Sequence, residues 1–258
     1  MYSSNKNSSK AFTLIELLVV ISIIALLMAI MMPALNKARN QARSVVCSAK
    51  LRDMNIGYLT YIAEYGDRFP PYELSIGKYW TGLLMPYHGM NPEEANELRT
   101  CPSATKTRDY PYTGNYQHKW HGSRGSWLNT EEAEYTGSYG WNAWLNKEGM
   151  MYINYVDRFD KPYRSLGYVE HPDKTPTFGD CVWTHALPQT SDPKPDNLTG
   201  DLLPGRFNNT ATFAMDRHDM AVNIAMVDGS VMHVNIEDIW QLYWHRGFTP
   251  RELELPKR

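Results

Sequence analysis

One stretch of the chain constrains everything else. From Leu17 to Asn36, twenty consecutive residues carry no charge, and nearly all are Leu, Ile, Val, Met or Ala. An α-helix rises about 1.5 Å per residue, so such a run covers roughly 30 Å, the hydrocarbon thickness of a bilayer. Glu16 stands just inside its start. A carboxylate at that depth is costly, which marks it as functional and in need of a partner. A cleaved secretory signal fits poorly, because its apolar core spans only about 7–15 residues and ends at an A-x-A site. No such site follows this run.

A polar leader with Lys6 and Lys10 runs into Ala11-Phe12-Thr13-Leu14-Ile15-Glu16-Leu17 and then into the apolar helix. This segment resembles the prepilin signal of type IV pilins and type II secretion pseudopilins. The resemblance implies cleavage between Ala11 and Phe12 by a prepilin peptidase on the cytoplasmic face. It also implies N-methylation of the new Phe12 amine and an assembly role for Glu16. Paired with the Phe12 amine of a neighbouring subunit, the Glu16 carboxylate would neutralise two charges in low dielectric. Pro33 falls where the family commonly kinks its helix, and Ala11 stands where the family more often has Gly.

The remainder of the 258 residues is polar enough to make the mean hydropathy negative despite the apolar run. The chain therefore reads as one membrane segment tethering a water-soluble domain. Its formal net charge of −2 provides no global basic field, and the sequence between Arg206 and Arg217 forms no dense basic stripe. No nucleic-acid partner is predicted. Positive charges flank both ends of the span, Lys6 and Lys10 before it and Lys37, Arg39 and Arg43 after it. Loop charge alone slightly favours the C-terminal side as cytoplasmic. The prepilin motif requires the opposite, with the N-terminus in the cytoplasm, the span in the inner membrane and the domain periplasmic or extracellular.

The expected organisation is a leader at 1–11, a transmembrane and assembly helix at 12–36, its exported continuation at 37–66, and a head at 67–258. Ala34, Ala38, Ala42, Val45, Val46, Ala49, Leu51, Met54, Tyr58, Tyr61, Ile62 and Tyr65 recur at three- and four-residue steps, which predicts one long helix with an apolar stripe. Gly66-Asp67 stops it, with Pro70-Pro71 beyond. Short helices are predicted over Tyr79–Leu84, 92–98 and 237–243. Strands are predicted over 137–142 and 175–183, and a strand is expected to lead into the Cys101-Pro102-Ser103 turn. Residues 188–206, Pro- and Gly-rich, read as a loop. Ala221–Val227 and Ser230–Ile236 flank Asp228-Gly229, a strong hairpin signal. The fold class is α+β, a long helix against a small antiparallel sheet with long aromatic loops.

Three cysteines, Cys47, Cys101 and Cys181, are an odd count for an exported domain. A Cys47–Cys101 disulfide would tie the helix to the head, but all three pairings stay open, as does the packing of reduced thiols. No CxxC or Cys/His spacing suggests zinc. Arg217-His218, nine residues and Asp228-Gly229 resemble the His-x9-Asp-Gly ending of pilin-like proteins abundant in planctomycetes, which share turns like Cys101-Pro102 and Phe178-Gly179-Asp180.

Asp180, Asp216, His218, Asp219 and Asp228 can converge from strand ends and turns. Carboxylates from several loops suit Ca²⁺, with its six to eight oxygen ligands. Asp180, His218 and Asp228 alone suit a transition metal or a hydrolytic site. The plain alternative has Asp180 and Asp228 in turns and His218 bonded to backbone. No acyl-transfer triad or P-loop is recognisable, so no enzymatic activity and no obligatory cofactor are expected. Trp120, Trp127, Trp141, Trp144 and Trp183 offer either core packing or a platform for stacking sugars. The expected function is a pseudopilin-like structural subunit meeting a prepilin peptidase, other pilin-like subunits and the inner membrane. A membrane-anchored glycan-binding module is the alternative.

Overall fold

The computed structural model describes residues 13–71, 80–104, 106, 117–121, 136–147, 162–200 and 209–255. The leader, the Ala11–Phe12 junction, Tyr79 and Trp127 lie outside them. The chain divides into two units, Met1–Gln41 and Ala42–Arg258. Helix α1 (Leu14–Glu64) supplies residues to both.

In the first unit α1 begins with a reciprocal cap. Glu16 N donates to Thr13 Oγ1 at 3.2 Å, and Thr13 N donates to Glu16 Oε2 at 2.9 Å. This Thr-x-x-Glu arrangement satisfies two of the amides left free at a helix start. Pro33 lies inside α1 without ending it. Every side chain from Leu14 to Arg43 is exposed, the whole apolar run among them.

In the second unit α1 buries Cys47, Leu51, Met54, Asn55, Gly57, Tyr58, Tyr61 and Ile62, a stripe at helical spacing. The stripe begins at Cys47. Val45, Val46, Ala49 and Tyr65, predicted to share it, are exposed. Beyond Glu64, Gly66 and Asp67 adopt φ of 66° and 61°, and Asp67 N donates to Ile62 O at 2.9 Å, which closes the helix where Gly-Asp predicted it.

Helices α2 (Trp80–Leu83), α3 (Met85–His88) and α4 (Pro92–Leu98) follow. Asn91 Oδ1 accepts from Glu93 N and Glu94 N, and Glu94 answers through Asn91 N, a second capping box. Strands β1 (Trp120–His121) and β2 (Thr136–Gly137) pair with each other. A five-stranded sheet holds β3 (Tyr139–Asn142), β4 (Pro176–Asp180), β5 (His185–Ala186), β6 (Ala221–Met226) and β7 (Val231–Asn235) in the order β5-β3-β4-β6-β7. The predicted hairpin is β6–β7, and β6 is buried along its whole length. The sheet is mixed rather than antiparallel as expected. After β4 the chain crosses the end of β3, and β5 then runs parallel to β3 on its far side. That crossing needs Gly140, because a Cβ there would come within 2.5 Å of Cys181 Sγ and Trp183 O.

Part of α1 covers one side of this sheet. Tyr58 meets Phe178 edge-on at 5.2 Å, and its hydroxyl accepts from Trp141 Nε1 at 3.2 Å. Asn55 donates to Met226 O at 2.8 Å and accepts from Thr177 Oγ1 at 2.8 Å, beside the irregularity in the β4–β6 register. The predicted helix at 237–243 is a 3₁₀ helix at Ile236–Gln241. After it, Trp244 O accepts from Asn142 Nδ2 at 2.9 Å, and the Trp244 ring packs on Phe213 with centroids 4.7 Å apart.

Candidate functional site

Four segments far apart in sequence meet inside the head. Cys47 comes from α1, Cys101 from the turn after α4, Asp180 from the end of β4, and His218 from the turn before β6. All four are buried. Asp180 Oδ2 lies 3.2 Å from His218 Nε2 and 3.5 Å from Cys47 Sγ, and Cys101 Sγ lies 3.4 Å from the same Nε2.

Local structure holds each side chain in place. Arg217 Nη1 donates to Asp180 Oδ1 at 2.9 Å and to Ser138 O at 2.6 Å, while Asn223 N donates to Asp180 Oδ2 at 2.9 Å. Ser138 Oγ accepts from Cys101 N at 2.6 Å, and Ser103 N donates to Cys101 Sγ at 3.4 Å. After His218 the chain turns sharply. Asp219 and Met220 adopt φ of 60° and 63°, a left-handed pair unusual for a residue as bulky as Met, held by Met220 N donating to Asp216 Oδ1 at 2.7 Å.

Electrostatics follow from these contacts. Burial works to raise the Asp180 carboxyl, but the His218 and Arg217 cations beside it outweigh burial and hold it well below the usual carboxylate range. Burial works to lower His218, yet Asp180 and then Cys101 raise it to about 9. Cys47 is pushed up, first by burial and then by Cys101 and Asp180. Cys101 resists its burial and falls to about 6 through a hydrogen bond with Cys47 and the cations His218 and Arg217. Without a metal, the cluster is therefore a buried network of opposite charges.

Cys101, His218 and Asp180 have the side chains of a nucleophilic triad but not its geometry. A triad places nucleophile and carboxylate on opposite ring nitrogens, so that one orients the base while the other gives up its proton. Here both lie on Nε2, and His218 Nδ1, also buried, makes no hydrogen bond among the described residues. Among the described residues, Cys47, Cys101, Asp180 and His218 form the group able to hold a metal, with donor atoms all within 4.8 Å of one another. The set has one carboxylate and no second hard oxygen donor, unlike a Ca²⁺ shell.

The residues singled out from sequence divide sharply. Asp180 and His218 come together, and Cys47 and Cys101 join them as free thiols. Asp228 does not. It is exposed in the β6–β7 turn, where its Oδ1 accepts from Ser230 N at 2.8 Å, as the Asp-Gly turn signal by itself requires. Asp219 is exposed, and Asp216 serves the turn. Cys181 is buried apart from the donor group, and burial pushes its thiol up to about 12. The Cys101 turn is entered from α4, not from a strand. Trp120, Trp141 and Trp144 are in the core, which removes three members of the predicted sugar platform.

Sequence reasoning missed Arg217 and Ser138, which position the cluster. It also did not bring Cys47 and Cys101 together with Asp180 and His218, because the four side chains share no local spacing. One available signal was the Thr13-x-x-Glu16 capping box, legible beside the membrane reading of Glu16.

Residues 6–32 match a family model described as the prokaryotic N-terminal methylation motif. No curated protein and no solved structure matches the chain. The motif and the long apolar helix together support a pilin-like, membrane-anchored chain.

Proposed function

We propose that the chain is a structural subunit of a type II secretion pseudopilus or a type IV pilus-like filament, without catalytic activity of its own. A prepilin peptidase cuts between Ala11 and Phe12 and methylates the new amine. The helix from Phe12 holds the product in the inner membrane, N-terminus in the cytoplasm, with the head periplasmic or extracellular. Subunits then leave the bilayer by packing their helices against one another. The observation that carries this reading is the methylation motif at 6–32 together with a helix whose apolar side chains from Leu14 to Leu35 are all exposed. Such a surface needs lipid or neighbouring helices to cover it.

Glu16 has two roles to separate. Its carboxylate caps its own helix through Thr13, and in a filament it would also face the Phe12 amine of a neighbour. Glu16→Ala removes both cap and charge. Glu16→Gln keeps an acceptor for the capping box and removes only the charge. Expressed with a prepilin peptidase and the assembly machinery, both variants should be cleaved and both should be absent from sheared or cross-linked filaments. Normal incorporation of Glu16→Gln would sink the charge-pairing mechanism and leave Glu16 as a cap.

A further inference from the structure

We propose that Cys47, Cys101, Asp180 and His218 bind one tetrahedral Zn²⁺-type ion that pins the head portion of α1 to the Cys101 turn, the end of β4 and the turn before β6. The claim concerns the head alone and stands whether or not the chain is a filament subunit.

Distances are the first argument. With bonds of about 2.3 Å to sulfur and about 2.0–2.1 Å to nitrogen or oxygen, a tetrahedral zinc centre has edges of roughly 3.3–3.8 Å. The measured edges are 3.4 Å for Cys101 Sγ to His218 Nε2, 3.5 Å for Cys47 Sγ to Asp180 Oδ2, and 3.2 Å for His218 Nε2 to Asp180 Oδ2. The remaining separations stay within 4.8 Å, so a small inward movement of the thiols closes the shell. Two sulfurs, an imidazole and one carboxylate oxygen suit zinc far better than calcium or magnesium.

Asp180 and Cys101 carry the outer contacts such a centre needs, whereas His218 Nδ1 finds no partner among the described residues. Asp180 divides its oxygens, Oδ2 facing the donors and Oδ1 held by Arg217 at 2.9 Å. Ser103 N points at Cys101 Sγ, and Ser138 links the Cys101 backbone to Arg217. Charge closes as well. Two thiolates and one carboxylate bring three negative charges, the ion two positive and the buried Arg217 one, which leaves the filled site neutral in low dielectric. Protons on the donor atoms leave as the ion binds.

The test uses the full-length chain in detergent. It is stripped of metal under reducing conditions and titrated with Co²⁺, then with Zn²⁺ in competition, while the metal content of untreated protein is measured in parallel. We expect one ion per chain, the visible bands of tetrahedral Co²⁺, and a near-ultraviolet thiolate-to-cobalt charge transfer. Cys47→Ser and Cys101→Ser should each lose part of that charge transfer and weaken binding by at least about 100-fold, the upper end of what outer-shell changes alone produce. Asp228→Asn should change neither. Wild-type protein that takes up no stoichiometric Co²⁺, or takes it up with an octahedral spectrum and no thiolate band, overturns the proposal. So does a Cys47–Cys101 disulfide in protein taken from its native membrane. Glu16→Gln protein should bind Co²⁺ like the wild type, so failure of the filament reading leaves this result intact.

Discussion

The two stretches of α1 solve opposite problems with the same backbone. From Leu17 to Asn36 the helix carries no charge, is almost wholly apolar, and is exposed on every face. From Cys47 to Ile62 it is apolar on one stripe only, yet that stripe is buried and includes a polar residue, Asn55, with both ends of its amide bonded. Hydrophobicity therefore does not by itself say where a side chain ends up. The first stretch relies on a surrounding phase for burial, while the second finds its cover in the sheet of its own head.

Substitutions in the two stretches should accordingly behave differently, and the contrast can be broken at several points. Tyr58→Ala removes a ring packed on Phe178 and Phe69 and a partner of Trp141. The head should lose about 3–5 kcal/mol in denaturant titration, the cost of truncating a large buried aromatic. Asn55→Ala removes two buried hydrogen bonds, one to the Met226 carbonyl and one from the Thr177 hydroxyl, which keep Gly229 N and Ala225 O as partners, so a loss of about 1–3 kcal/mol is expected.

Acid should act on the head through His185. Burial lowers its pKa from 6.5 to about 3, so the folded head keeps it neutral while the unfolded chain protonates it. Its stabilising contribution is complete above about pH 6.5 and falls by roughly 1.4 kcal/mol per pH unit down to about pH 3. A His185→Gln head whose acid sensitivity over that window equals that of the wild type would contradict this assignment. Smallest of all, Ile24→Ala in the exposed stretch should shift head stability by less than about 0.5 kcal/mol. A larger shift would show that the two stretches are not energetically separate.

Legibility in the sequence follows the range of the interactions. The β6–β7 hairpin was readable because Asp228-Gly229 and alternation act within a few residues. The stop at Gly66-Asp67 and the helix at Pro92–Leu98 are local for the same reason. Strand β5, only His185–Ala186, carries no periodicity to read, so the parallel pairing that makes the sheet mixed was hidden. The buried cluster was half legible. Asp180 and His218 stood out as residue types in turns, but Cys47 reaches them only through the packing of α1 on the sheet. Asp228 drew attention for its motif and proved to serve its turn. Trp120, Trp141 and Trp144 looked available because the sequence around them is loop-like, whereas their bulk fills the core.

Whether the chain enters the pilin-type pathway at all is read most directly at its N-terminus. Intact mass and N-terminal peptide sequencing of protein extracted from its native membrane should give a chain beginning with N-methylated Phe12. A chain still carrying Met1 and the leader would contradict the account, because Glu16 would then have no Phe12 amine to meet and the apolar helix would be an ordinary signal anchor.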